Sequence, residues 1–193
     1  MSRGLPRVAD VGLATLALVL SSPLLLVATV AIRLETRGPA IYRQRRVGRD
    51  ANRFEMYKLR TMVVGADPTP AETWEPLRET DPRVTRVGAV LRRLSLDEIP
   101  NLVNVLRGEM AIVGPRPTIE AQVREYTPHQ MRRLEVRPGL TGWAQVNGRA
   151  SLSWEERIEL DVWYVENRSP ALDLRILART VRLIVTGRGL YGG

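Results

Sequence analysis

RRLSLDEIPNLVNVLRGEMAIVGPRP, residues 92–117, places two adjacent carboxylates, Asp97 and Glu98, where a helix begins. Ser95 and Glu98 have the S-x-x-E spacing of a capping box, in which each side chain accepts from the other's backbone N–H. Leu96, Ile99, Val103 and Leu106 recur at helical spacing and form an apolar stripe. Pro100 has no N–H to donate and is tolerated only in a first turn, so the spacing predicts a helix starting at Leu96 or Asp97. The free N–H groups and partial positive charge of such a start favour an ionised carboxylate or a bound phosphate. Two readings of the pair follow. Either Glu98 closes the cap and Asp97 sits in the helix dipole, or the two hold magnesium, which takes oxygen ligands and bridges to substrate phosphates.

The stretch closes on Gly114-Pro115-Arg116-Pro117. A residue before proline is confined to extended geometry, so Arg116 rides on a stiff segment. That suits presenting a guanidinium fork to a phosphate, and it also suits a plain turn. Upstream, residues 40–47 and 53–58 read as short extended or turn segments around Gly48-Arg49-Asp50, followed by Lys58-Leu59-Arg60-Thr61-Met62. Residues 65–82, rich in Pro, Gly and acids, read as a surface loop or acidic lid. Arg83, Arg86, Arg92 and Arg93 then lead up to Asp97.

From Val11 to Ile32 no residue is charged, a run of 22 that is long enough to cross a bilayer. Arg33, Leu34 and Glu35 follow it directly, unlike the small-residue cleavage site of a signal peptide, so the segment is read as a retained membrane element. Ser21-Ser22-Pro23 sits at its centre, and both flanks are basic: Arg3 and Arg7 before, then Arg33, Arg37, Arg43, Arg45, Arg46, Arg49 and Arg53 after. A spanning helix satisfies the positive-inside rule at one end only, whereas a helix–break–helix hairpin returning to the same leaflet satisfies it at both. Each arm of such a hairpin, roughly ten residues at ~1.5 Å rise, reaches about half of the hydrocarbon core. A proline-kinked spanning helix is the competing reading.

Downstream, residues 119–136 read as helical with an interruption at Pro128, beside the one histidine, His129, which reads as a surface residue. Residues 137–149, RPGLTGWAQVNGR, pack three glycines among hydrogen-bonding side chains, a composition that lets backbone approach a ligand closely. Ser153 and Glu156 form a second capping box for a helix to about Val165, whose apolar face holds Trp154, Ile158, Val162, Val165 and also Asp161. An inward Asp needs a cation or hydrogen bonds, so Asp161 serves either a salt bridge or the active site. A last helix, about residues 173–186, carries Leu174, Leu177, Val181 and Ile184 on one face, suited to a core or to a membrane surface.

Composition narrows the function classes. The chain of 193 residues suits one domain with a sizeable core, and it lacks cysteine, which removes disulfides, thiolate metal sites and cysteine nucleophiles. A net charge of +8 implies an anionic partner: nucleic acid, an anionic membrane surface or a phosphate-rich substrate. Of the 29 basic residues all but Lys58 are arginine, so Lys58 is either an accident or a place where a compact ammonium is needed.

Taken together, SSP within the apolar run, KLRTM at 58–62, SLDEIPNLVNVLRGEM at 95–110, VGPRP at 113–117, RPGLTGWAQVNGR at 137–149 and the terminal DVWYVEN…LDLRIL block resemble the monotopic phosphoglycosyl transferases. These are bacterial sugar transferases that load a sugar phosphate onto a polyprenyl phosphate. The resemblance covers nearly the whole chain and implies the small form of the enzyme. It implies a mostly helical α+β fold, with a reentrant membrane hairpin over residues 1–36 broken at Ser22-Pro23. A catalytic domain with amphipathic interfacial helices would follow over residues 37–193, on the cytoplasmic face of the bacterial inner membrane. It further implies that Asp97 attacks the β-phosphate of a UDP-sugar and expels UMP, and that polyprenyl phosphate then attacks the aspartyl phosphosugar. Such a sequence is covalent catalysis with ping-pong kinetics. Mg2+, with Asp97 and Glu98 as its carboxylates, would offset the diphosphate charge. Arg92 and Arg116 would hold phosphate oxygens, and Lys58 and Arg60 would add positive charge. Gln145, Asn147 and Arg149 would contact nucleotide or sugar, and Asp161 would face the site. The partners implied are a UDP-sugar, polyprenyl phosphate and anionic membrane lipids; the small form also leaves room for a homodimer.

Two rivals share parts of this pattern. A membrane-tethered nucleic-acid-binding protein explains the charge, but Asp97, Glu98 and Asp161 would repel a phosphate backbone, so no nucleic acid is expected as partner. A magnesium-dependent lipid diphosphate phosphohydrolase would use the same carboxylates with water as acceptor.

Overall fold

In a computed structural model, residues 4–66, 81–148 and 152–186 are described. Helix α1 runs from Arg7 to Glu35 without interruption, with Pro23 inside it. The expected break at Ser22-Pro23 is therefore not a break in the helix. The physical reason is local: Pro23 lacks the N–H that would donate to the carbonyl of Val19, and the Ser22 hydroxyl donates to that oxygen instead, at 2.8 Å. Ser21 likewise donates to Ala17 O at 2.6 Å. At 29 residues α1 is about 43 Å long, and by length and composition it is sufficient to cross a membrane.

Its inner seam is Asp10, Ala14, Ala17, Leu18, Ser21, Leu25, Ala28 and Ile32, spaced three and four apart, and both ends are tied to the rest of the protein. At the N-terminal end Arg7 donates to the carbonyls of Val105 and Leu106, and the buried Asp10 carboxylate accepts from Ile112 N at 3.0 Å. At the other end Glu35 accepts from the backbone N–H groups of Arg86 and Val87 at 2.7 and 2.9 Å.

Strands β1 (Ile41–Val47) and β2 (Arg53–Leu59) form an antiparallel hairpin in which Tyr42 faces Lys58, Gln44 faces Met56 and Arg46 faces Phe54. Helix α2 (Arg86–Arg93) is capped by Thr85, whose hydroxyl accepts from Gly88 N. A single 3-10 turn (Leu96–Glu98) then leads into α3 (Asn101–Arg107). Strand β3 (Ala111–Val113) pairs in parallel with β4 (Gly139–Thr141), and the short helices α4 (Glu120–Val123) and α5 (Pro128–Met131) lie between them in sequence. Helix α6 (Trp143–Asn147) precedes α7 (Trp154–Asn167) and α8 (Pro170–Thr186). The chain is thus mostly helical, with two small sheets.

One apolar core gathers Ala14, Phe54, Met56, Leu102, Val105, Ile112, Val113, Tyr164, Val165 and Ile176. A second joins Ala28 and Ile32 to Ala40, Leu59 and Leu91. The glycines of residues 137–149 serve this packing, since a Cβ on Gly139 would lie 2.1 Å from Gly114 N and one on Gly142 would lie 2.2 Å from Gly114 O. The close approach foreseen there is of one backbone to another. The capping box of α7 forms as its sequence predicts. On α8 the predicted apolar face is turned outward at Leu174, Val181 and Ile184, while Asp173 and Ile176 are buried. Together with Val8, Leu16, Val19, Leu20, Leu26, Val27 and Leu34 of α1, these side chains leave a large apolar surface exposed.

Candidate active site

Ser95 precedes the Asp97–Glu98 pair with φ +54°, a left-handed conformation uncommon outside glycine, and its side chain makes no cap hydrogen bond. The capping box expected of Ser95 and Glu98 does not form, because Glu98 has stronger partners. Its Oε1 receives Lys58 Nζ at 2.7 Å and Arg116 Nη2 at 2.6 Å. The apolar stripe is also phased differently from the expected one: α3 buries Leu102 and Val105 together with Asn101 and Asn104, and Leu106 faces outward. Asn104 does the work the periodicity hid. Its amide donates to Glu55 O at 2.6 Å and to Glu109 Oε2 at 2.7 Å, and its oxygen accepts from Tyr57 N at 3.2 Å. The side chain thereby satisfies the open edge of β2 and fixes the strand carrying Lys58 against the helix that follows Glu98.

Arg116 arrives from another direction. Arg133 donates to Arg116 O at 3.0 Å, to Asp161 Oδ2 at 2.5 Å and to the hydroxyl of Tyr126. Val47 N donates to Thr118 O at 2.8 Å, and Arg46 donates to Pro117 O at 3.4 Å. The proline-bracketed segment is therefore held on several sides. Sequence reasoning missed Arg133, which carries no motif of its own.

The electrostatics separate the two carboxylates. Burial alone would push Glu98 up, but Arg116 and Lys58 reverse this and hold it well below the usual carboxylate range. Asp97 has no hydrogen-bond or ion-pair partner among the described residues, and burial raises its carboxyl, with Lys58 pulling down and Glu98 pushing up. Lys58 is lowered by burial against the pull of Glu98, whereas Arg116 is raised by Glu98 against its burial. One carboxylate is locked between cations, and its neighbour is ionisable, with no side chain bonded to it among the described residues.

The other candidates lie as follows. Arg92 donates to Thr61 Oγ1 at 2.8 Å, and its charge reaches Asp97. Arg60 is not in the cluster: it is buried and donates to Thr36 O at 2.9 Å and Arg37 O at 2.7 Å, closing the C-terminal end of α1, because β2 ends at Leu59 and the chain turns there. Asp161 does not face the cluster either. It is buried against Arg133, and burial pushes its carboxyl up to about 6. Asn147 is spent on Trp143 O and on Arg179. Both amide atoms of Gln145 are shielded and without partner among the described residues, beside Gly142. Arg149 lies outside the described residues, as does most of the 65–82 loop. His129 is a surface residue paired with Glu159.

A family model described as bacterial sugar transferase matches residues 1–187. The uncharacterized sugar transferase EpsL of Bacillus subtilis is 42% identical, over 96% of this chain and 90% of its own length. The exopolysaccharide production protein ExoY of Rhizobium meliloti is 41% identical, over 94% of this chain and 86% of its own. The UDP-glucose:undecaprenyl-phosphate glucose-1-phosphate transferase of Escherichia coli is 42% identical over 94% of this chain, which spans only 40% of that protein.

Proposed function

This chain belongs to the bacterial sugar transferase family, and from that premise we propose that it moves a sugar 1-phosphate from a UDP-sugar to polyprenyl phosphate through an aspartyl intermediate. The observation that carries the reading is the unpartnered Asp97 beside a Glu98 held by Lys58 and Arg116. An Oδ of Asp97 attacks the β-phosphorus of the donor; the bond to the bridging oxygen breaks, and UMP departs with that electron pair. A phosphate oxygen of the lipid then attacks the same phosphorus and releases the Asp97 carboxylate. Burial helps twice, since it makes the carboxylate a stronger base once ionised and strengthens its attraction to the cations around the phosphates. Lys58 and Arg116 place positive charge where the transferring phosphoryl oxygens would lie.

Magnesium fits this site in part. Asp97 offers free hard oxygens, while Glu98 Oε1 already receives both cations, and the described residues hold no group of three or more metal-ligating side chains. Asp97 and substrate phosphates would therefore hold the ion, which would neutralise diphosphate charge.

For the membrane, the reading is a monotopic, cytoplasmic-face enzyme. Both ends of α1 are tied to the same body, by Arg7 and Asp10 at one end and by Glu35 at the other, which supports a helix whose two ends stay on one side of the bilayer. The exposed apolar surfaces of α1 and α8 would lie in the leaflet, with the basic surplus near anionic head groups.

The test is a panel of UDP-sugars with magnesium and polyprenyl phosphate in vesicles. Lipid diphosphosugar and UMP in equal amounts are expected. Sugar phosphate released to water without lipid product would favour the phosphohydrolase, and no turnover with any donor would overturn the reading.

A further inference from the structure

The face of β1 that meets Lys58 continues away from it through Gln44 to Arg46. Lys58 and Arg116 are both committed to Glu98, so either could grip a phosphate only by sharing it with that carboxylate. Arg46 is different. Its guanidinium donates to the neutral Gln44 Oε1, at 3.1 Å from Nε and 2.5 Å from Nη2, and to Pro117 O at 3.4 Å. Among the described residues it has no carboxylate within ion-pair distance. Glu98 and Arg116 act on it through charge.

We propose that Arg46, whose guanidinium lies against Pro117 beside Arg116, anchors a second anionic subsite that receives the α-phosphate of the donor nucleotide, the phosphate that departs with UMP. The assignment rests on the transferase reading above. Asp97 attacks the β-phosphorus there, so the α-phosphate lies one bridging oxygen further on and needs a cation besides the two that Glu98 holds. Burial and the like charge of Arg116 lower Arg46 to about 10, against the pull of Tyr42 and Glu98. An arriving phosphate would relieve both penalties. In the second half-reaction the acceptor's phosphate attacks the same phosphorus in line with Asp97, from the place UMP has left, so it would use the same subsite.

The test is calorimetric binding of UMP and of uridine to the full chain in nanodiscs, for wild type, Arg46→Gln and Arg46→Lys. Arg46→Gln is expected to weaken UMP about tenfold to a hundredfold, as for a lost charge-assisted hydrogen bond, and to leave uridine unchanged. Arg46→Lys should recover part of the loss, and KM should rise for the UDP-sugar and for polyprenyl phosphate alike. UMP affinity within twofold of wild type in the folded variants would overturn the assignment. So would an equal loss for uridine, which would mean that Arg46 acts only by holding Pro117. If the wild type itself binds no UMP, the transferase reading falls and this assignment with it; UMP binding that the variants keep at the wild-type level removes Arg46 alone.

Discussion

Asn104→Leu separates the scaffold of the site from its chemistry. The side chain is fully buried, with 0% exposure, and leucine fills a similar volume without hydrogen-bonding atoms. Three bonds are lost: those to Glu55 O, to Tyr57 N and to the Glu109 carboxylate. Glu109 reaches water and can be rehydrated, but the two backbone groups of β2 are left without a partner at ~1–3 kcal/mol each. The expected cost is therefore about 2–6 kcal/mol. For a chain of this length each kcal/mol lowers Tm by roughly 2–4 °C, so even the low end gives a fall of several degrees by circular dichroism. The same bonds fix β2 against α3, and with them the 2.7 Å contact of Lys58 with Glu98. Turnover at a temperature where the variant stays folded should fall as well, in kcat more than in KM. A Tm within a degree of wild type with unchanged turnover would refute the idea that Asn104 couples the two elements.

Other outcomes follow from the same geometry. Asp97 must be ionised to attack, and its carboxyl is raised above the ordinary 3.8, so activity should be lost as pH falls through a value above 3.8. Glu98→Gln removes a raising charge and leaves Lys58 and Arg116 undivided, so what activity remains should show its acid limb at lower pH in a kcat profile. For stability Glu98 has the opposite sign to Asp97: its folded value lies below 4.5, so its contribution is complete above 4.5 and is lost on acidification through the folded value, which acid denaturation of wild type against Glu98→Gln would detect. Gly139→Ala drives a Cβ against Gly114 N and should destabilise by more than the ~1–3 kcal/mol of ordinary overpacking, measured by denaturant unfolding. Single cysteines at Val8 and Leu34, 82% and 83% exposed at opposite ends of α1 in a chain with no native cysteine, should react with an impermeant maleimide from the same side of a vesicle. Labelling from opposite sides would mean that α1 spans.

What the sequence made legible was local. The cap of α7 and the stiff Pro115-Arg116-Pro117 segment each depend on neighbours in the chain and lie where spacing put them, and the two segments read as extended or turn became β1 and β2, whose pairing the spacing did not state. The dyad was visible as a pair, but its asymmetry was not, because that depends on Lys58 and Arg116 converging on Glu98 from 40 and 18 residues away. Long-range partners decide what spacing left open. Of the two readings of Asp161 the salt bridge forms, with Arg133, which no spacing links to it, and Arg60 turns to the carbonyls ending α1. On α3 the apolar stripe pointed away from the buried face because buried Asn101 and Asn104 occupy part of that face, and a hydrophobic pattern does not register polar residues whose hydrogen bonds come from another element. Arg46 was legible only as one positive charge in a basic flank until the strand register set it on the face of Lys58.

The covalent role of Asp97 is tested most directly by intact mass spectrometry after incubation with a UDP-sugar and magnesium in the absence of any lipid acceptor. The account predicts one equivalent of UMP released and a mass gain of one phosphosugar, mapped to Asp97 and absent in Asp97→Asn. UMP release that waits for polyprenyl phosphate, with no adduct on the protein, would contradict it and leave Asp97 as a metal ligand in a direct displacement.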